Sequence, residues 1–323
     1  MIAYRRGSTG TEVEKIQARL RDLELYRGPV DGVFGGGTES AVLAFQSGRR
    51  LSGDGVVGPK TWKALFDGET IRKPAVTRES LAHKVLALTG SFETGTPPPD
   101  CFAAVSGDFD GQGISFGACQ WNLGQGSLQP MLEEMFRRHP MVAKEILGSH
   151  EEELRAVLRS PREEQLEWAR SIQDGVRHFL SEPWRGLFRT LGRREEFQEI
   201  QVRQAGKLYR SAAELCDAYD VHSQRAQALM FDIKVQNGSI GPAVQARIRR
   251  EFDSLPRSLR GRAAEEERLR IIANRRSEAS NPRWIEDVRT RKLAIANGTG
   301  TVHGRHYDLE GQYGITLGRA ANT

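Results

Sequence analysis

The sequence predicts a mainly α-helical protein in two parts: a small three-helix bundle, then a larger helical domain carrying one short β-hairpin. Three observations predict this. An Asp-Gly repeat organises the front of the chain. Apolar residues then recur at helical spacing over most of its length. A single glycine-rich stretch, residues 107–130, interrupts that spacing.

The first helix is expected over residues 11–25, where Val13, Ile16, Leu20 and Leu23 form one apolar stripe. The repeat follows. Asp31-Gly32-Val33-Phe34-Gly35 leads to Thr38 and Ala41, and Asp54-Gly55-Val56-Val57-Gly58 leads to Thr61 and Ala64 at the same offsets. Each Asp-Gly predicts a tight turn, because Asp bonds nearby backbone N–H groups and Gly tolerates positive φ. The Thr hydroxyls suit an N-cap or a first helical turn. Helices over 38–46 and 61–66 then bury Ala41, Val42 and Phe45, and Trp62 and Leu65. Asp31, Phe34, Thr38 and Phe45 either hold turns and core or line a groove. Residues 68–77 are polar, contain Pro74 and read as a linker.

Gly7-Ser8-Thr9-Gly10, Val13, Gln17, Leu20, both Asp-Gly turns, Phe45-Gln46 and Thr61-Trp62 resemble the peptidoglycan-binding module of wall hydrolases over residues 5–67. The resemblance implies a non-catalytic wall-binding domain at 1–67. Its groove would lie near the first Asp-Gly loop, which assigns Asp31, Phe34, Thr38 and Phe45 to it.

The larger domain is expected over 78–323. Thr77 and Ser80 are candidate caps. Leu81, Val85, Leu88 and Phe92 form a buried helical stripe that ends near Glu93. Pro97-Pro98-Pro99 marks a loop, and residues 107–130 read as loop plus hairpin. Helices are expected at 127–138, 141–147, 150–159, 161–180, 195–218, 222–236, 241–253, 259–276 and 281–297, with an irregular tail from Gly298.

Glu93 is the leading chemical candidate. Burial beside Phe92 and the negative end of a helix both favour a carboxyl that keeps its proton, as a glycosidase acid must. Asp108 and Asp110 could supply a second carboxylate. The bland alternative is a helix-end Glu and two turn-forming Asp residues. A helix ending in Glu, a glycine-rich hairpin with an acid and an all-helical remainder resemble the lysozyme superfamily. Asp110-Gly111-Gln112-Gly113-Ile114-Ser115, with Gly117 behind, is similar to the Asp-Gly-x-Gly-aromatic-Thr segment of chitosanases, with Ile114 and Ser115 as departures. That resemblance implies Glu93 as general acid, Asp110 as base and Ser115 as a hydroxyl that steadies the attacking water. Ala118-Cys119-Gln120-Trp121-Asn122 resembles the goose-type lysozyme and lytic transglycosylase region instead. An acid–base separation of ~6.5–9.5 Å would give inversion. Glu93 acting alone would leave a 1,6-anhydro sugar.

Asp108, Gln120, Asn122, Gln236, Asn237 and Tyr307 are candidate sugar contacts, because amides and hydroxyls match sugar hydroxyl and N-acetyl groups. Asn237-Gly238 also reads as a helix C-cap. His303 and His306 lack a third ligand at helical spacing, so neither a metal nor another cofactor is expected. Cys101 or Cys119 as a peptidase nucleophile has no supporting motif. Three cysteines do not make a disulfide framework.

The net charge of +5 is spread along the chain. It favours an anionic partner such as the wall, and no nucleic acid or stable membrane insertion is expected. The charged first residues precede no apolar segment. With the binding domain in front, the whole resembles a bacteriophage endolysin. The resemblance implies a monomer made in the host cytoplasm that reaches the wall after the membrane is permeabilised. Its substrate would be the β-1,4 glycan bond of peptidoglycan. A wall amidase or peptidase, and a non-enzymatic wall-binding protein, are the competing readings.

Overall fold

The computed structural model describes residues 2–320 and is mainly helical. It divides into two compact units, Met1–Val85 with Leu208–Thr323, and Leu86–Lys207.

The first unit opens with α1 (Thr11–Asp22), α2 (Gly36–Gly48) and α3 (Pro59–Leu65). Their apolar faces meet in one core containing Val13, Ile16, Leu20, Phe34, Val42, Phe45, Val57, Trp62 and Leu65. Burying side chains of this size stabilises by roughly 1.5–3 kcal/mol each. Helix α1 stops three residues short of the expected Leu25. Glu24 takes a left-handed φ of 59°, and the N–H groups of Leu25 and Tyr26 turn back to the Leu20 carbonyl. Thr38 and Thr61 lie inside the first turns of α2 and α3, which start at Gly36 and Pro59, so neither is an N-cap.

Ser80 starts α4 (Leu81–Thr94), its Oγ accepting the His83 N–H at 3.2 Å. The chain then forms β1 (Val105–Ser106), β2 (Ser115–Phe116) and β3 (Trp121–Asn122). These make an antiparallel sheet in which Ser115 faces Ser106 on one side and Asn122 on the other. The hairpin expected from sequence gains a third strand because Gly117 (φ 82°) and Gln120 (φ 53°) reverse the chain.

Helices α5 (Gln129–Arg138), α6 (Pro140–Leu147), α7 (Glu151–Arg159), α8 (Arg162–Ser171), α9 (Trp184–Arg193) and α10 (Glu195–Gln204) complete the second unit. Phe116 projects from β2 into their core. It stacks on Phe197 (5.3 Å between centroids) and meets Phe188 edge-on (5.2 Å). The helix expected over 161–180 ends at Ser171. Beyond it, Asp174 Oδ1 accepts the N–H groups of Val176 (2.8 Å) and Arg177 (2.6 Å), a local turn that competes with helix. Helix α9 was not expected at all.

The chain returns to the first unit through α11 (Gly206–Ala218), α12 (Gln224–Asn237), α13 (Pro242–Asp253), α14 (Gly261–Glu278) and α15 (Ile285–Asn297). The helix expected over 195–218 is split at Ala205. The tail is not irregular, since β4 (Thr299–Val302) pairs with β5 (Arg305–Asp308). His303 and Gly304 both have positive φ, the two-residue turn that matches strand twist.

Between α12 and α15, Asp232 is fully buried and receives two bonds from Arg291 (2.8 and 2.6 Å) and one from Lys292 (3.0 Å). Desolvation would push the Asp232 carboxyl up, but the two cations hold it below its ordinary value.

Candidate functional site

Glu93 lies in the last turn of α4. The sequence expects it buried, and the structure leaves it exposed, one position past the buried Phe92 on the helix wheel. Three residues earlier, Gly90 is pressed against Ala118 after β2. A Cβ there would sit 2.7 Å from the Ala118 Cβ. Residues i+3 and i+4 share a helix face, so Glu93 and Thr94 rise from the face that meets the sheet.

The β1–β2 loop carries the other acids. Asp108 is buried. Its Oδ1 accepts the Gly113 N–H at 2.9 Å, and Arg170 Nη1 lies 3.5 Å from its Oδ2. Asp108 is therefore an anchor of the loop. Asp110 is exposed, and its Oδ1 accepts the Gln112 N–H at 3.1 Å across a short turn. Gly111 and Gly113 have φ of 79° and 74°. At Gly113 a Cβ would also come within 2.9 Å of Leu166, which explains the Asp-Gly-x-Gly spacing. Ser115, half-buried on β2, has no hydrogen-bond partner for its hydroxyl among the described residues.

Gln120 and Asn122 spend their amides inside the sheet. Gln120 donates to the Gly117 carbonyl (2.9 Å) and accepts from Ser106 Oγ (3.1 Å). Asn122 Oδ1 accepts the Gln125 N–H at 2.9 Å. Gln201 holds the turn from behind, accepting from Ala118 N (2.9 Å) and donating to the Phe102 carbonyl (2.8 Å).

The first unit holds the remaining candidates. Gln236 Oε1 accepts from Lys292 Nζ at 2.8 Å. Asn237 ends α12 before Gly238, whose φ of 76° and ψ of −53° lie outside the left-handed helical C-cap expected, and the Ser239 N–H instead donates to the Asn237 carbonyl at 2.9 Å across a γ-turn. Tyr307 is buried, and its ring lies parallel to that of Tyr313 at 6.5 Å.

In the front bundle one device is used twice. Gln17 Nε2 donates to Asp31 Oδ1 (2.9 Å), the Val33 carbonyl (3.0 Å) and Thr38 Oγ1 (3.2 Å), while its Oε1 accepts from Gly32 N (2.9 Å). Gln46 repeats this with Asp54 (2.8 Å), Val56 (3.0 Å), Thr61 (3.1 Å) and Gly55 (2.9 Å). Both glutamines are fully buried. The Gln17 amide and the Val33 N–H hold the Asp31 carboxyl below its ordinary value. For Asp54 the Val56 N–H comes first and Gln46 second. Asp31 and Thr38 are thus turn partners of Gln17, and Phe34 and Phe45 are core. Gln17 and Gln46 were missed as the lock. The legible signal was an apolar-Gln pair, Ile16-Gln17 and Phe45-Gln46, ahead of each Asp-Gly.

Burial pushes the Cys101 thiol up to about 12, which leaves little nucleophilic thiolate. His303 pairs with Asp287. Among the described residues no three His, Cys, Asp or Glu gather as a metal site requires. No described helix is long and apolar enough to cross a membrane.

Residues 9–65 match the family described as a peptidoglycan binding domain, so the front bundle is a domain of that kind. Over 57 residues the chain is 44% identical to the N-acetylmuramoyl-L-alanine amidase CwlM of Mycobacterium tuberculosis, covering 18% of this chain and 14% of that one. It is 47% identical over 62 residues to the spore cortex-lytic enzyme of Bacillus subtilis, covering 19% of this chain and 20% of that one. The corresponding Bacillus cereus enzyme is 39% identical over 79 residues, covering 23% and 30%. The chain thus spans less than a third of the length of these relatives. Among solved structures, a Bacillus subtilis chitosanase covers 72% of this chain and 97% of its own at 19% identity, with a TM-score of 0.44. A Burkholderia AP3 phage endolysin covers 73% and 97% at 16% identity, with a TM-score of 0.20.

Proposed function

We propose that this chain is a modular wall hydrolase, an endolysin-type muramidase. The front domain holds it on peptidoglycan, and the acids of the second unit cleave the β-1,4 bond between N-acetylmuramic acid and N-acetylglucosamine. The observation that carries this reading is the peptidoglycan binding domain at 9–65 in one chain with an acid-bearing loop between β1 and β2. In that loop Asp110 is exposed, Ser115 follows on β2 with no hydroxyl partner among the described residues, and Glu93 lies exposed in the last turn of α4.

Glu93 donates its proton to the glycosidic oxygen as the anomeric carbon gains positive charge. Its exposure leaves it open to a glycan, and the bound sugar then excludes water from the carboxyl. Asp110 takes a proton from the attacking water, which Ser115 steadies. Inversion follows if the water attacks opposite the leaving oxygen. Asp108 serves this scheme by fixing the loop, not by touching the reacting atoms.

A second reading is favoured by one observation, that Asp110 Oδ1 already accepts the Gln112 N–H of its own turn. Glu93 then works alone, first as acid and then as base, and the product is a 1,6-anhydro sugar. Mass spectrometry of digested peptidoglycan separates the cases. Reducing muramyl ends support the hydrolase and anhydro ends the single-acid route. Cleaved peptide stems with intact glycan would overturn both.

A further inference from the structure

Two loops of the second unit hold large apolar side chains in water. Phe109 is 60% exposed on the β1–β2 loop, and Val176 and Phe179 are 88% and 55% exposed on the loop after α8. The loops are fastened together. Gly107 N donates to the His178 carbonyl (3.0 Å), and Asp108 N donates to Gln173 Oε1 (2.8 Å). At Gly107 a Cβ would lie 2.0 Å from that Gln173 oxygen, so only glycine permits the approach. His178 adopts a left-handed φ of 54°, costly for a residue with a side chain. In that conformation its ring stands 5.1 Å from the Phe109 ring, tilted by 53°. The structure thus spends a strained residue and a close backbone contact to keep two rings together at the surface.

The immediate neighbours of these rings indicate the occupant. Phe109 lies between Asp108, which is buried and paired with Arg170, and the exposed Asp110, and on the other loop Val176 stands between the exposed Asp174 and Arg177. The exposed edge thus carries Asp110 and Asp174 against Arg177, a mixed rim with no excess of cations to draw an anionic bilayer. It suits a sugar. A pyranose ring has an apolar C–H face that lies on an aromatic ring, and equatorial hydroxyls that donate to carboxylates.

We propose that Phe109 and His178 form a stacking platform for one sugar ring of a glycan strand, next to the residue cleaved at Asp110. Phe109 supplies the face and His178 fixes its tilt. The proposal rests on the glycosidase reading above and extends it to a subsite that sets how the strand is held.

The test uses the full chain. A tetrasaccharide of alternating N-acetylglucosamine and N-acetylmuramic acid is titrated by calorimetry into a Glu93→Gln background, and turnover is followed in the active protein. Phe109→Ala is expected to weaken binding roughly tenfold, with the loss in kcat/KM carried by KM. Phe109→Trp should restore affinity. His178→Ala should weaken binding by less, and should add little to Phe109→Ala, because both act through one ring. Unchanged affinity in Phe109→Ala, in a protein that still cleaves the tetrasaccharide, overturns the platform and leaves the glycosidase reading standing. A wild-type chain that neither binds nor cleaves the tetrasaccharide overturns that reading itself. Co-sedimentation with phosphatidylglycerol vesicles supplies the third arm. Vesicle binding lost in Phe109→Ala, with glycan affinity intact, overturns the platform in favour of a membrane contact.

Discussion

In the front bundle, Asp31 accepts from the Gln17 amide and the Val33 N–H, and Asp54 accepts from Gln46 and Val56. In the second unit, Asp110 accepts from the Gln112 N–H of its own turn, and the nearby Ser115 hydroxyl has no partner among the described residues. Both regions use Asp-Gly to bend the chain. Asp31, Asp54 and Asp110 are all exposed, but the first two are also held by a buried amide reaching in from a helix, and Asp110 is held only by its own turn. The difference separates a turn that stabilises a fold from a turn that can be offered to a ligand.

Five changes would break or sharpen that contrast. Glu93→Gln should lower the rate on purified peptidoglycan by about 10³-fold or more, the scale of a lost general acid. Far-UV circular dichroism and wall pull-down should stay unchanged, and wild-type turnover in that variant would remove Glu93 from the chemistry. Asp110→Asn should cost less, about 10²-fold, read from the same digest. Near-normal rates there would make Asp110 a turn former and favour the single-acid route.

In the closed turns the cost should appear in stability. Gln46→Ala strands the buried Gly55 N–H and removes one of the bonds to Asp54, and Gln17→Ala does the same for Gly32 and Asp31. Each should destabilise the bundle by about 1–3 kcal/mol. Denaturant unfolding followed at Trp62 would measure this, with pull-down weakened and cleavage of soluble glycan spared. The smallest effect is on acid tolerance. The folded carboxyls of Asp31 and Asp54 lie below their ordinary value of 3.8. Their stabilisation is therefore complete above that value and fades as the pH falls through the lower folded ones. Asp31→Asn should flatten the loss of stability below about pH 4. An unchanged acid limb would contradict the role given to Gln17.

Much of the front domain was legible, because the Asp-Gly copies are local signals and α1 to α3 bury simple stripes. Its lock was harder to see, since Gln17 reaches across fourteen residues to Asp31. In the second unit the loop glycines could be read, but the early stop of α8 could not. That stop depends on Asp174 preferring its own turn to a further helical one. The exposure of Glu93 was equally hidden, because one position along a helix decides between core and solvent and Phe92 took the core. The tail hairpin was obscured by having only four residues per strand. Phe109 and His178 lie 69 residues apart, and only the fold brings them together.

The twin glutamines have one more consequence. Gln17 aims a single nitrogen at four oxygens, on Tyr26, Asp31, Val33 and Thr38. Slow loss of ammonia from that side chain would replace the nitrogen with oxygen. A donor would become an acceptor, and a buried negative charge would face the exposed Asp31 carboxylate. Gln46 would change in the same way, and the burial that keeps water from both amides is what slows that hydrolysis.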